Sequence, residues 1–514
     1  MEKSIYRQIC DHITDGILAP DFSINEDDYQ EGTFRFAPGA LDGINYYHMG
    51  FGELDADAAK EMIRALKSAV QGSWNDADDK FAAFCKEHRA ICLVDHLQNY
   101  LMKHQRQLAP NEMHGAAVHF LLHSKHAECV KIGLEILELF GEPVDELKEI
   151  IRRIGQYDEF TLFAVWNMLK WKNGNDEIFK LAKLTHSWGR IHAVEHLEAE
   201  TEEIRRWLLT EGTVNEVTNA YSALTCWTKS GADKLLQEKI TREEYRGIAA
   251  IMEGLLDEGP VPGISRIGNR EQVLLRFLDQ TKTHAAEEGD FEIIPQIFAW
   301  TEDKEEDYTA VRSACDALLQ SEKCIQAVKR AVEKGEGLRL ADLLEIPFRD
   351  QLYRCMCEDF EHFFYKCSYL MEDPAYADRT VDLFRQKLPL AEMTGDPTDV
   401  LGMDSGYTDY NALEFLLQEL SDKPLTGCDL MLTGIRSPYI RLRNRALTVL
   451  QNWVEDTKEP LSQLSPELFE AVKDLESAEP ADGPRKMIAP LLDGEIHFHG
   501  PDDYDESEEE QDEK

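Results

Sequence analysis

The string His192-Ala193-Val194-Glu195-His196 carries residue types that could do chemistry, at a spacing that could let them. On a helix the two histidines stand one turn apart on the same face, where neutral imidazoles can ligate zinc. Glu195 between them is then placed as a base for a metal-bound water. A further ligand is needed, and Glu271 is a candidate only by its distance along the chain. A second group is His119, His123 and His126, with His114 just upstream. On one helix their steps of four and three share a face, which could hold zinc or copper or form a polar stripe beside Phe120, Leu121 and Leu122. Cys355-Met356-Cys357, followed by His362 and Cys367, also suggests a metal. Tyr353–Leu370 reads as one aromatic-rich helix, however, and two cysteines two residues apart on a helix point about 200° away from each other, which makes them core thiols.

Other signatures are missing. The sequence has no G-x-x-x-x-G-K-S/T phosphate loop, no G-x-G-x-x-G after a strand and no G-x-S-x-G elbow. None of the sixteen histidines follows a glutamate by three positions, so the E-x-x-H pair of di-iron carboxylate helices is absent. No cofactor and no nucleotide is expected. Two glycine-rich stretches, Gly39–Gly50 with Tyr46, Tyr47 and His48, and Asp257–Ile264 with Pro260 and Pro262, read as binding loops or as ordinary entrances to a domain. Trp166, Trp171, Trp188, Trp207 and Trp227 read as inter-helix packing.

Helices must position all of these groups. A short helix is expected around Ser4–Thr14, within a loop-rich segment over residues 1–54. From Asp55 onward apolar residues recur at three- and four-residue steps, as in Ala59–Val70, Cys129–Leu139, Phe160–Leu169, Ile204–Leu208, Tyr245–Leu256 and Val273–Leu278. Breaks such as Gly141-Glu142-Pro143 and Asn173-Gly174-Asn175 end them. Alternating strand patterns are few, so the expected fold is all-α. Three segments share one spacing of Arg, small residue and Leu: Arg190/Ala193/Leu197, Arg312/Cys315/Leu319 and Arg443/Ala446/Leu450. The small residue admits a neighbouring helix, the leucine fills the next groove, and the arginine stem covers the turn while its charge stays wet. This spacing, fed by Ser437-Pro438-Tyr439-Ile440, resembles the second helix of HEAT-type repeats. The resemblance implies an irregular α-solenoid of stacked helical hairpins. Asp55–His104, around Gly72-Ser73-Trp74, reads as a tetratricopeptide-like hairpin. The expected organisation is helical repeat regions over residues 55–258 and 264–494. Residues 501–514, with nine acids, form an acidic tail that cannot bury enough surface to fold.

Composition limits the partners. With 55 Lys plus Arg against 98 Asp plus Glu among 514 residues, the net charge is −43, which excludes generic nucleic-acid backbone binding. No apolar run is long enough to predict a membrane span, no signal peptide is visible, and eleven scattered cysteines read as reduced thiols of a cytoplasmic protein. The stretches Phe163-Ala164-Val165-Trp166-Asn167, Trp188-Gly189-Arg190-Ile191-His192 and Ala220-Tyr221-Ser222-Ala223-Leu224-Thr225-Cys226-Trp227, with Gly39–Gly50 and Asp257–Ile264, are similar to bacterial proteins labelled limonene hydroxylase. That resemblance covers most of the first 280 residues. It implies oxidation of an apolar monoterpene, but with no haem-thiolate loop, flavin or nicotinamide fingerprint present it assigns no catalytic residue. The expected function is a scaffold that binds another protein or peptide. The alternative is an enzyme, either such a monooxygenase or a zinc hydrolase built on His192, Glu195 and His196.

Overall fold

The computed structural model describes residues 3–25, 36–50, 54–104, 108–302, 304–402 and 405–494. The acidic stretch 501–514, with His497 and His499, lies outside the described residues. Among those described, the chain forms thirty α-helices and one two-stranded hairpin, Ile13–Thr14 with Ile17–Leu18. The fold is all-α. No helix among the described residues is long and apolar enough to cross a membrane.

Local chemistry sets the helix limits. Helix Ala56–Val70 starts where Asp55 accepts hydrogen bonds from the Asp57 and Ala58 amides, satisfying two donors that have no partner within the helix. Helix Arg242–Leu256 starts at a reciprocal cap between Thr241 and Glu244. The periodic segments read from the sequence fall inside helices, among them Ala127–Glu138, Asp158–Met168, Glu202–Thr210 and Arg270–His284, except that Leu139 and Leu169 lie just past two of the helix ends.

The chain divides into two compact units, which meet in sequence at Cys324 and Ile325. The Asp257–Ile264 turn therefore lies inside the first unit. In that unit, helices Ala90–His104, Ala127–Glu138, Asp158–Met168, Trp188–His196, Ala220–Ser230 and Arg242–Leu256 each pack on the next to form one row. Pro110–His123, Asp145–Gly155, Gly174–Leu184 and Glu202–Thr210 pack against this row. Every residue of Ala127–Glu138 from Cys129 to Leu137 is buried. A helix covered on all sides suits apolar residues, and the exceptions here are Lys131 and Glu135.

In the second unit, helix Ile440–Thr457 contacts Thr408–Gln418, Cys428–Ile435 and Asp482–Asp493. The expected single helix over Tyr353–Leu370 is instead broken at Asp359, whose carboxylate caps the next short helix at the His362 amide. Cys355 and Cys367 are buried thiols, as the aromatic context implied, whereas Cys357, also expected in the core, is only half-buried.

The repeated Arg–small–Leu spacing has one structural meaning at all three sites. Ala193, Cys315 and Ala446 are fully buried, as are Leu197 and Leu450, with Leu319 nearly so. Each arginine donates to a carbonyl at or near the end of a neighbouring helix: Arg190 to Glu211 O at 2.7 Å, Arg312 to Thr301 O at 2.9 Å and Arg443 to Ser437 O at 3.1 Å. This satisfies acceptors that a helix end leaves open. The expectation of a wet charge fails at Arg443, which is fully buried. Glu479 meets it there with two bonds of 2.6 and 2.7 Å, supplying the counter-charge that desolvation requires.

Candidate functional site

The Gly39–Gly50 stretch is built into the first unit. Gly39 has φ +78° and its amide donates to Glu159 Oε2 at 2.6 Å. Helix Ala40–Ile44 then widens into a π-helical turn, Asn45–Met49, which ends at Gly50 with φ +71°. Such turns are rare and often mark functional positions. Gly43 is required by packing, since a Cβ there would lie 2.1 Å from the Trp188 ring.

Asp42, one residue earlier, enters a buried cluster of charge. Lys131, with a side chain 0% exposed, meets Asp42 at 2.6 Å, Glu128 at 2.7 Å and Glu159 at 2.5 Å. Arg89 contacts the same three carboxylates at 3.2, 3.1 and 3.3 Å. Three carboxylates against two cations leave one uncompensated negative charge. Burial, partly opposed by Lys131, pushes the Asp42 carboxyl up to about 6. Burial alone would raise Glu128 as well, but Lys131 and Arg89 together hold it below its ordinary value. Lys131 is raised because these carboxylates outweigh its own burial. One turn further along, Glu135 is buried, and neither carboxylate oxygen has a hydrogen-bond partner. Burial, then Glu128 and Asp42, drives its carboxyl well above the usual range.

The π-helical turn covers His192. Helix Trp188–His196 is fixed at its start by Asp158, whose Oδ2 accepts from the Ser187 amide at 2.9 Å. Burial raises the Asp158 carboxyl to about 6 despite that bond. His192 is 1% exposed and neither ring nitrogen has a hydrogen-bond partner. The Tyr47 ring stacks on it at 5.9 Å, Tyr46 meets it edge-on at 5.5 Å, and Trp188 lies 6.3 Å away. Burial, with a smaller contribution from His196, lowers its pKa to about 3, so the imidazole is neutral. Glu195 accepts from the Tyr47 hydroxyl at 2.7 Å, while Nδ1 of His196 donates to the His192 carbonyl at 2.9 Å. His48 and Tyr221 join by a 2.8 Å bond at the edge of the same aromatic group.

The H-x-x-E-H string thus lies on one helix, with His192 enclosed by rings and Glu195 engaged by a phenol. Among the described residues, no three His, Cys, Asp or Glu side chains converge on a common metal position. Glu271 lies in the first turn of helix Arg270–His284 and lines a cleft with Glu306 and Tyr308. The second histidine set is divided by a turn. His119 and His123 share helix Pro110–His123, their rings 5.0 Å apart, but the helix stops at Ser124 and His126 precedes the next one, so the expected single helix is corrected. A Ser124 side chain that accepts from the His126 amide stabilises this turn and takes His126 out of register with the other two.

Three features were missed in the sequence. The first is the Lys131 cluster. Its signal was a lysine and a glutamate four residues apart inside the apolar run Cys129–Leu137. The second is Glu258, which organises the Asp257–Ile264 turn by accepting from the Gly263 and Ser265 amides, Ser265 Oγ and Trp300 Nε1 at 3.2, 2.8, 2.7 and 3.0 Å. The third is an apolar groove of about 180 Å³ between helices Ala90–His104, Pro110–His123 and Ala127–Glu138. Met113 and Ile136 form its floor, while Met102, Leu139 and Phe140 stand 63%, 38% and 43% exposed around it. No protein-family model and no curated protein matches the chain.

Proposed function

We propose that the chain is a helical-repeat scaffold, an irregular solenoid of stacked hairpins, whose first unit binds an apolar anchor on a basic segment of another protein. The observation that carries this reading is the groove framed by Met102, Leu139 and Phe140. Three large apolar side chains left in water beside one concavity mark a contact surface more strongly than scattered exposed residues do. The net charge of −43 selects the partner's chemistry, since a basic segment gains attraction on approach and an acidic one is repelled. The row of successively packed helices and the threefold Arg–small–Leu spacing support the repeat reading. The eleven free cysteines suit a reducing cytoplasm.

The test is recovery of a partner from the native cell, followed by rebinding of that partner in purified form to wild-type protein and to Phe140→Glu. Truncating an interface anchor typically costs about 1–2 kcal/mol, so the variant should bind about 5- to 30-fold more weakly, and binding should weaken with salt. Failure to recover a partner, or equal rebinding by the variant, refutes the proposal.

A further inference from the structure

A second concavity of the first unit differs in chemistry from the apolar groove. It lies between helices Arg270–His284 and Thr309–Leu319 and encloses about 370 Å³. Leu278, Phe291 and Leu318 form an apolar floor and are each less than a tenth exposed. Ala314 and Ala317 face the same space three residues apart, and their small side chains keep it open. The volume falls within the usual range of small-molecule sites, about 300–1,000 Å³.

Its polar rim is not acidic, unlike the chain as a whole. Two lysines, Lys282 and Lys323, and one carboxylate, Asp279, line it. The Lys323 ammonium donates to the Lys282 and Thr283 carbonyls at 3.3 Å each, which ties it to the last turn of helix Arg270–His284. The Lys282 ammonium is exposed and has no hydrogen-bond or ion-pair partner among the described residues. An apolar trough beside an unpaired cation has the charge pattern of an anionic amphiphile's complement, a local exception to the chain's negative field.

We infer that this concavity binds a single-chain fatty carboxylate, with its tail along Leu278, Phe291 and Leu318 and its head at Lys282. The acyl chain removes the leucine and phenylalanine faces from water, and the carboxylate takes the free ammonium. The site shares no residue with the Met102–Phe140 groove, so each stands or falls separately.

The experiment uses the full chain and a dansyl-labelled fatty acid as fluorescent probe, displaced in turn by dodecanoate, dodecanol and dodecyltrimethylammonium. Saturable binding is expected, with dodecanoate displacing the probe about two- to fivefold better than either competitor, the size of effect expected for one exposed ion pair. Lys282→Glu should remove the preference for dodecanoate over dodecanol. Ala317→Trp, at an exposed position, should fill the trough and abolish displacement by both while leaving the thermal melt unchanged. Non-saturable binding, equal displacement by all three competitors, or unaltered binding by Ala317→Trp would overturn the assignment. Loss of probe binding in Phe140→Glu but not in Ala317→Trp would place the probe in the other groove and refute this one.

Discussion

Lys131→Met is the most informative single change in the first unit. The lysine is fully buried and contacts three carboxylates within 2.7 Å, so no water can replace it. With Lys131 the cluster carries three negative and two positive charges. Without it, three carboxylates face Arg89 alone. Removing one partner of a buried ion pair typically costs about 3–5 kcal/mol, because the remaining charge stays desolvated. The same count predicts a rescue. Asp42→Asn alone leaves two carboxylates against two cations, a neutral cluster, and removes the group whose ionisation is hardest to bury. Its folded value of about 6, against an ordinary 3.8, is a raised pKa. A raised carboxylate pKa contributes stability that is full below 3.8 and lost as pH rises through 6, and Asp42→Asn should flatten that decline. Lys131→Met/Asp42→Asn should then be less damaged than the sum of the single changes. Denaturant unfolding followed by fluorescence at pH 5 and pH 8 measures the stabilities, and hydrogen exchange at residues 40–49 reports whether the segment loosens. A loss below about 1 kcal/mol for Lys131→Met, or unchanged exchange at residues 40–49, would refute the view that this cluster holds the segment in place.

Two further predictions concern other buried groups. In the second unit, Arg443→Met leaves Glu479 buried and unpaired and should lower the stability of that unit by about 3–5 kcal/mol in denaturant titration; Arg443→Lys should rescue little, because one ammonium cannot reproduce the two-pronged contact. His192 has a folded pKa near 3 against 6.5 for the free imidazole, a depressed value, so its contribution is intact above pH 6.5 and lost as pH falls toward 3. His192→Leu should therefore shift the acid-unfolding midpoint of the first unit downward, as followed by Trp fluorescence, and an unshifted midpoint would show that the ring is not the acid-sensitive group.

The all-α class and the positions of most first-unit helices were legible in the sequence, because three- and four-residue apolar steps and local caps are properties of neighbouring residues. Ala193, Cys315 and Ala446 could be assigned to close helix contacts for the same reason, and all three are buried. The fate of charged and polar side chains was not legible. Whether an arginine is wet depends on what lies opposite, and Glu479 is thirty-six residues from Arg443. The split of His119 and His123 from His126 followed from one serine-stabilised turn that helical periodicity alone does not register.

By itself the sequence determined that this chain must be helical, that it carries a large negative charge, and that residues 39–50 combine flexible backbone with two tyrosines and a histidine. Tertiary structure decided how these are used. Asp42, Arg89, Glu159 and the helical pair Glu128 and Lys131 come from four places along the chain, and only packing brings these four segments' charges within a few ångströms and excludes the water that would otherwise screen them. His192 is neutral for the same reason, since rings rather than solvent surround it. Periodicity along one segment dictates its own conformation, whereas desolvation depends on the segments that close around it.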